Sequence, residues 1–274
     1  MYHFQLRTLL SQFFQEDIGF GDLSAEAIFA NEQASGSIVA KQPGVFCGSS
    51  LITQGYKLLN EQINITTLVN DGEVLNQGSV IAKIEGPVRE ILTGERVILN
   101  LIQRLSGIAS ATAQAVTILD DPNIRICDTR KTTPGLRMLE KYAFKMGGGH
   151  NHRFGLDDGV MIKDNHIAAC GSIANAMARV RKAVGHMVKI EVEIETRQQL
   201  EQAIAAKADV IMFDNCSAAT VREFRALTPA NIITEASGGI TLENLAEFRH
   251  SGVDVISLGC LTHSVKALDI SLDL

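Results

Sequence analysis

The sequence predicts an α/β protein whose second half folds as a barrel of parallel strands. Three observations lead there. After Pro122 short β-branched runs (NIRICD, GVMIKD, MVKIEVEIE, ADVIMFDN, NIITEASGG, VDVISLG) alternate with helical stretches such as SIANAMARVRKAV and TRQQLEQAIAAKA, the rhythm of a parallel sheet with helices outside. Nearly every run closes on a polar or small residue, as at Asp128, Lys163, Glu193, Asp214, Ser237 and Gly259, and in a barrel such ends converge on one rim. An open dinucleotide-binding sheet would carry GxGxxG after its first strand, and the sequence has none there.

Composition narrows the function classes. The 274 residues are 46% apolar and 20% charged with a net charge of -6, an ordinary globular balance that opposes general affinity for nucleic-acid phosphates. Trp is absent, which removes the usual base-stacking platform. The five cysteines, Cys47, Cys127, Cys170, Cys216 and Cys260, form no CxxC pair and suit reduced cytosolic thiols. No apolar run approaches the roughly 18 residues that span a bilayer, and the N-terminus lacks the pattern of a cleaved leader. A cytoplasmic protein without a membrane or nucleic-acid partner is expected.

The elements follow in order. Residues 1 to 15 have helical apolar spacing, and EDIGFGDLS breaks that helix, with Asp22 or Ser24 available as a cap. From Ser35 to Ile91 short alternating strands lie between glycines. One piece, NDGEVLNQGSVIAKIEG, is similar to strands of biotinyl and lipoyl carrier domains but lacks the lysine-bearing hairpin tip, so it reads as structure only. A long helix follows, with an apolar stripe at Val97, Leu99, Leu101, Ile102 and Leu105. Gly107 is placed to kink or divide it, and Arg96 reads as a first-turn residue, where the helix dipole disfavours a cation.

The candidate chemistry gathers between Asp128 and His166. Arg130, Lys131, Arg137, Lys141, Lys145, Arg153 and Lys163 recur there with His150, His152 and His166. Four-residue spacing puts Arg137, Lys141 and Lys145 on a solvated helix face. The remaining cations sit at strand ends or after Gly147-Gly148-Gly149, where an anion with several negative groups is the expected ligand. His150 and His152 lack a third ligand at useful spacing, and His152 beside Arg153 reads as a donor to an anion. Glu191, Glu193 and Glu195 alternate along one strand. Glu191 or Glu195 reads as solvated, while Glu193 and Asp214 could hold Mg²⁺ or stabilise a developing positive charge. The loops at Ser237-Gly238-Gly239 and Ser257-Leu258-Gly259 read as a phosphate cradle.

At this point EDIGFGDLS, GERVILNLIQRLSGIAS, DTRKTTPGLRMLEKYAFKMGGGHNHRFGLDDGVMIKDNHI, VEIET, MFDN, EASGGI and GVDVISLGCLTHSVKALDISLD closely resemble the quinolinate phosphoribosyltransferase family. The resemblance implies an incomplete seven-stranded α/β barrel behind an N-terminal α/β sandwich domain. The divisions implied are 1–105 for the sandwich, 106–265 for the barrel and 266–274 for a segment returning to the first domain. It implies phosphoribosyl transfer from 5-phosphoribosyl 1-pyrophosphate to quinolinate with decarboxylation, using Mg²⁺, in de novo NAD biosynthesis. Quinolinate would meet Arg130, His152, Arg153 and Lys163, with Arg96 supplied by the partner of a homodimer. Lys131 would contact substrate or pyrophosphate, Glu193 and Asp214 the metal and ribose, and Ser237, Gly238 and Gly259 the 5-phosphate, with His263 nearby. A paralogue associated with molybdenum uptake and a non-catalytic sensor are the rival readings, and the intact DTRKT and GGGHNHR segments oppose the first.

Overall fold

The structure is a computed structural model that describes residues 3–274. In chain order its elements are α1 (His3–Ile18), α2 (Leu23–Ile28), β1 (Gln33–Ala40), β2 (Gly44–Val45), α3 (Ser49–Leu59), β3 (Asn64–Thr67), β4 (Val74–Leu75), β5 (Val80–Pro87) and α4 (Val88–Leu119). There follow β6 (Arg125–Cys127), α5 (Arg137–Met146), β7 (Val160–Ile162), α6 (Asp164–Cys170), α7 (Ile173–Ala183), β8 (Ile190–Ile194) and α8 (Arg197–Ala205). The chain ends with β9 (Val210–Asp214), α9 (Ala218–Leu227), β10 (Ile233–Ser237), β11 (Val255–Ser257), α10 (Cys260–His263) and β12 (Ile270–Asp273). Met1 and Tyr2, which the sequence assigns to the first helix, lie outside the described residues.

The chain divides into two units, the first containing the stretch up to Ala113, Met138–Gly148 and Ser264–Leu274, the second Gln114–Arg137 and Gly149–His263. In the first, an antiparallel sheet runs β12-β1-β5-β3, beside a two-stranded ribbon of β2 and β4. Of the two cap candidates, Asp22 serves: its carboxylate accepts the Ala25 amide at 3.0 Å. The apolar stripe of α4 is buried throughout, Ile102 completely, and each such side chain stabilises the fold by about 2 kcal/mol. Two expectations for α4 are corrected. It is one unbroken helix of 32 residues from Val88, so Arg96 stands beyond the second turn rather than in the first. Gly107 does not divide it: a Cβ there would lie 2.3 Å from the Lys266 carbonyl oxygen, so the missing side chain admits the returning backbone. The solvated face expected for α5 is also corrected. Lys141 and Glu140 are fully buried, and Glu140 pairs with Arg104 at 2.7 Å.

In the second unit all six β-branched runs become strands, paired in parallel in the order β6-β11-β10-β9-β8-β7. Beyond β6, His150 makes a single parallel bridge to Cys127. Among the described residues the sheet thus has six strands and one bridge where seven strands are expected. The loops that lead into the helices carry their own caps: Ser172, Thr196 and Ser217 begin α7, α8 and α9 with side-chain acceptors, which satisfies amides left open at the first turn. Period-two alternation puts Ile190, Val192 and Ile194 on one face of β8 and Glu191 and Glu193 on the other. That second face leads to the site.

Candidate active site

The cationic segment reaches the strand ends because β6 holds it there. Asp128, the residue after β6, is fully buried and accepts the His152 amide at 2.8 Å and Asn151 Nδ2 at 2.6 Å. The backbone adds His150 N to Ile126 O at 2.8 Å and Asp128 N to His150 O at 3.1 Å. These bonds carry the segment after the triple glycine back along β6, so His152 and Arg153 arrive beside Arg130 and Lys131.

Together they line a cavity of about 510 Å³ with Lys163, Glu193, Asp214, Ser237 and Gly238. Lys163 caps α6, its amide donating to His166 Nδ1 at 3.0 Å, and its ammonium pairs with Glu193 Oε1. Burial raises the Glu193 pKa, Lys163 pulls it back down, and the neighbouring charge of Asp214 raises it again. Arg153 donates from Nη1 to the Gly159 carbonyl at 2.7 Å; burial, then Arg130, lower its pKa. Arg130 Nε is buried without a protein partner, so the guanidinium retains capacity for an anion. At the far strands Gly238 has φ 80° and Gly239 φ 65°. A Cβ on Gly238 would meet the Asn215 amide nitrogen at 2.6 Å and Asp214 Oδ1 at 2.7 Å, whereas a Cβ on Gly239 would meet nothing within 4 Å. The turn therefore leaves backbone open toward the cavity, the geometry of an anion nest.

Of the other expected residues, Gly259 packs on the Lys131 side chain, whose Cδ would lie 2.9 Å from a Cβ at that glycine, with His263 Cδ2 at 3.3 Å. Thr262 Oγ1 anchors this corner by donating to the Lys131 carbonyl at 2.8 Å. Arg96 belongs to the first unit, exposed on α4 and 3.8 Å from Glu95.

The sequence reading missed Glu235, and of its two candidates for a solvated acid, Glu191 and Glu195, it is Glu195 that is exposed. Glu191 is not solvated: both acids are buried, with oxygens 3.2 Å and 3.5 Å from His152 Nε2. The available signal was Glu235 in ITEAS, two residues before Ser237 and hence on the same face. His152 Nδ1 lies 2.7 Å from the Arg153 amide nitrogen. His152, Glu191 and Glu235 are close enough to chelate a cation, but Arg130 and Arg153 repel one, and the hydrogen bonds of the imidazole account for the spacing. Burial lowers the pKa of His152 and the two acids outweigh it, to about 10, while burial raises Glu191.

Fold and site define an enzyme of the α/β class with cations and carboxylates gathered in one cavity at the ends of parallel strands. Residues 22–106 match the N-terminal domain of quinolinate phosphoribosyl transferase and residues 108–273 its C-terminal domain. The chain belongs to the quinolinate phosphoribosyltransferase family. It is 63% identical over 273 residues to a Bacillus subtilis protein named "Probable nicotinate-nucleotide pyrophosphorylase (carboxylating)", covering 100% of this chain and 94% of that one. It is 39% identical to the nicotinate-nucleotide pyrophosphorylase (carboxylating) of Rattus norvegicus, covering 98% and 91%. The crystal structure of NadC from Streptococcus pyogenes superposes with a TM-score of 0.97 at 41% identity, covering 100% of this chain and 97% of that one.

Proposed function

We infer that this chain transfers the phosphoribosyl group of 5-phosphoribosyl 1-pyrophosphate to quinolinate and releases pyrophosphate and CO₂, giving nicotinate mononucleotide for de novo NAD synthesis. One observation carries the reading: Arg130, Lys131, Arg153 and Lys163 share a cavity with Glu193, Asp214 and the open Gly238-Gly239 backbone. Family membership supports it. No described helix is long and apolar enough to cross a membrane, which fits a cytoplasmic site of action.

Each group has a task that follows from its chemistry. Planar guanidinium groups suit the two carboxylates of quinolinate bidentately, and Arg130 keeps a buried N–H for that purpose. The glycine turn, with Ser237 and Gly259, receives the 5-phosphate. As pyrophosphate leaves, positive character grows on the ribose, and Glu193 and Asp214 stabilise it electrostatically. Lys131 and Lys163 offset charge on the departing group. The ribosylated ring nitrogen is cationic and stabilises the electron pair left on the adjacent ring carbon as CO₂ departs, and that carbon then takes up a proton, so the chain's role in that step is to orient the ring. Mg²⁺ fits the donors present, since Glu193 and Asp214 offer hard oxygens in one cavity and substrate phosphates complete such sites. When bound it supplies neutralising charge for pyrophosphate. A homodimer in which a partner contributes Arg96 belongs to the same reading.

The test supplies quinolinate, 5-phosphoribosyl 1-pyrophosphate and Mg²⁺ and follows nicotinate mononucleotide and CO₂ together. Equimolar formation is expected. Absence of both products with folded protein overturns the assignment, and turnover of another dicarboxylate in preference to quinolinate redirects it.

A further inference from the structure

Arg137 takes no part in the chemistry above, and the cavity lining does not include it. It opens α5, where the positive end of the helix disfavours a cation. Rather than facing solvent as the four-residue spacing suggests, it is half-buried and turned toward two loops. Its Nε donates to Thr132 Oγ1 at 3.0 Å, its Nη1 to the Phe154 carbonyl at 3.0 Å, and its Nη2 reaches the Arg130 carbonyl at 3.5 Å. A turn brings it there. Leu136 N donates to Thr133 O at 3.0 Å, with Pro134 second in the turn and Gly135 third at φ 84°, the residues a type II turn favours.

We propose that Arg137 is a positioning residue of the anion site: by tying the Arg130 and Phe154 carbonyls to one guanidinium, it sets the spacing of Arg130 and Arg153 for two neighbouring carboxylates. The proposal rests on the quinolinate reading of the cavity. Two arginines aimed at one ligand repel each other; burial, then the charge of Arg130, lower the pKa of Arg153. The loops that carry them must be held against that push. Arg153 directly precedes Phe154, whose amide donates to Asp158 Oδ2 at 2.9 Å, so the Phe154 carbonyl marks where the Arg153 side chain begins. On the other loop Thr132 N donates to the same Arg130 carbonyl at 2.9 Å, and Arg137 grips this small turn by hydroxyl and carbonyl together. Hydrogen bonds from an ionised donor are about twice as strong as neutral ones. A planar fork also holds two acceptors at one separation, which a single ammonium does not. The phosphate side has an anchor of its own, Thr262 Oγ1 on the Lys131 carbonyl, so loss of Arg137 falls on the carboxylate side.

Kinetics of two variants test this. Arg137→Ala should raise KM for quinolinate roughly tenfold and leave kcat within about threefold, with KM for 5-phosphoribosyl 1-pyrophosphate unchanged. Millimolar guanidinium ion, which fits the space between the carbonyls, should restore most of the loss, a recovery that general weakening of the fold would not show. Arg137→Lys keeps the charge and most of the stem and should show the same selective rise, because one nitrogen cannot bridge both loops. It decides the question if alanine prevents folding. Unchanged quinolinate KM in either folded variant, an equal rise in both KM values, or no recovery with guanidinium overturns the proposal. Calorimetry with phthalate, which carries two neighbouring carboxylates but lacks the ring nitrogen, separates this from the functional reading. Weaker phthalate binding in the variants than in the unmodified protein supports the spacing role even without turnover, and equal binding sinks it. Failure of the unmodified protein to convert quinolinate would instead count against the functional reading.

Discussion

Glu193 and Asp214 look alike in the sequence and differ in what answers their charge. Glu193 is held by the Lys163 ammonium, whereas Asp214 Oδ2 accepts the neutral Asn215 side chain at 2.9 Å. Glu193→Ala is expected to lower kcat by about 100-fold or more while quinolinate affinity, read by calorimetry, falls far less. Gly238→Ala should cost about 1–2 kcal/mol of stability from its positive φ and raise KM for 5-phosphoribosyl 1-pyrophosphate, because the new Cβ would displace Asn215 or Asp214. An unchanged denaturation midpoint and KM would refute this. At this scale the cations were legible because charge beside glycine or at a strand end has few structural uses. Glu235 was not, because an acid inside an apolar run reads as a surface position until the imidazole that answers it is located in space. The same holds for the His152 amide bond to Asp128, a contact between residues 24 apart.

Among elements, the strands were the plainest features, each a β-branched run closed by a polar residue. Helix α4 was legible in its apolar stripe and its length but not in its unbroken course through Gly107, whose missing side chain admits the Lys266 backbone. Gly107→Val is expected to lower stability by about 1–3 kcal/mol through overpacking, seen as a reduced urea midpoint with unchanged slope. Helix α5 shows the opposite failure. Regular cation spacing suggested solvent, yet Lys141 is buried, because local periodicity does not say what packs against it. The long separation between β6 and β7 hid the His150 bridge for the same reason: one pair of hydrogen bonds leaves no run to read.

At the scale of the whole molecule, the extra ring proton of His152, favoured by the two buried acids beside it, links folding to pH. The folded cluster holds this proton up to about pH 10, while a free histidine releases it near pH 6.5. Stability from this source is complete below the lower value and declines as pH rises through the higher one, by at most about 1.4 kcal/mol per pH unit. Urea midpoints should therefore fall between pH 7 and 9, and His152→Gln should flatten the slope; a parallel decline in both proteins would rule out this origin. Mixing Arg96→Ala with Lys163→Ala chains tests a shared dimer site, with recovered turnover expected only if Arg96 works across subunits. A last consequence concerns synthesis. The strand at Ile270–Asp273 lines the edge of a sheet whose other three members are complete by Pro87. During translation that edge waits unpaired while roughly ten seconds or more of further chain is made, an interval in which nascent copies on one messenger are exposed to sticking together along it. A chaperone that shields strand edges would therefore help most early in this protein's production, well before the catalytic half exists.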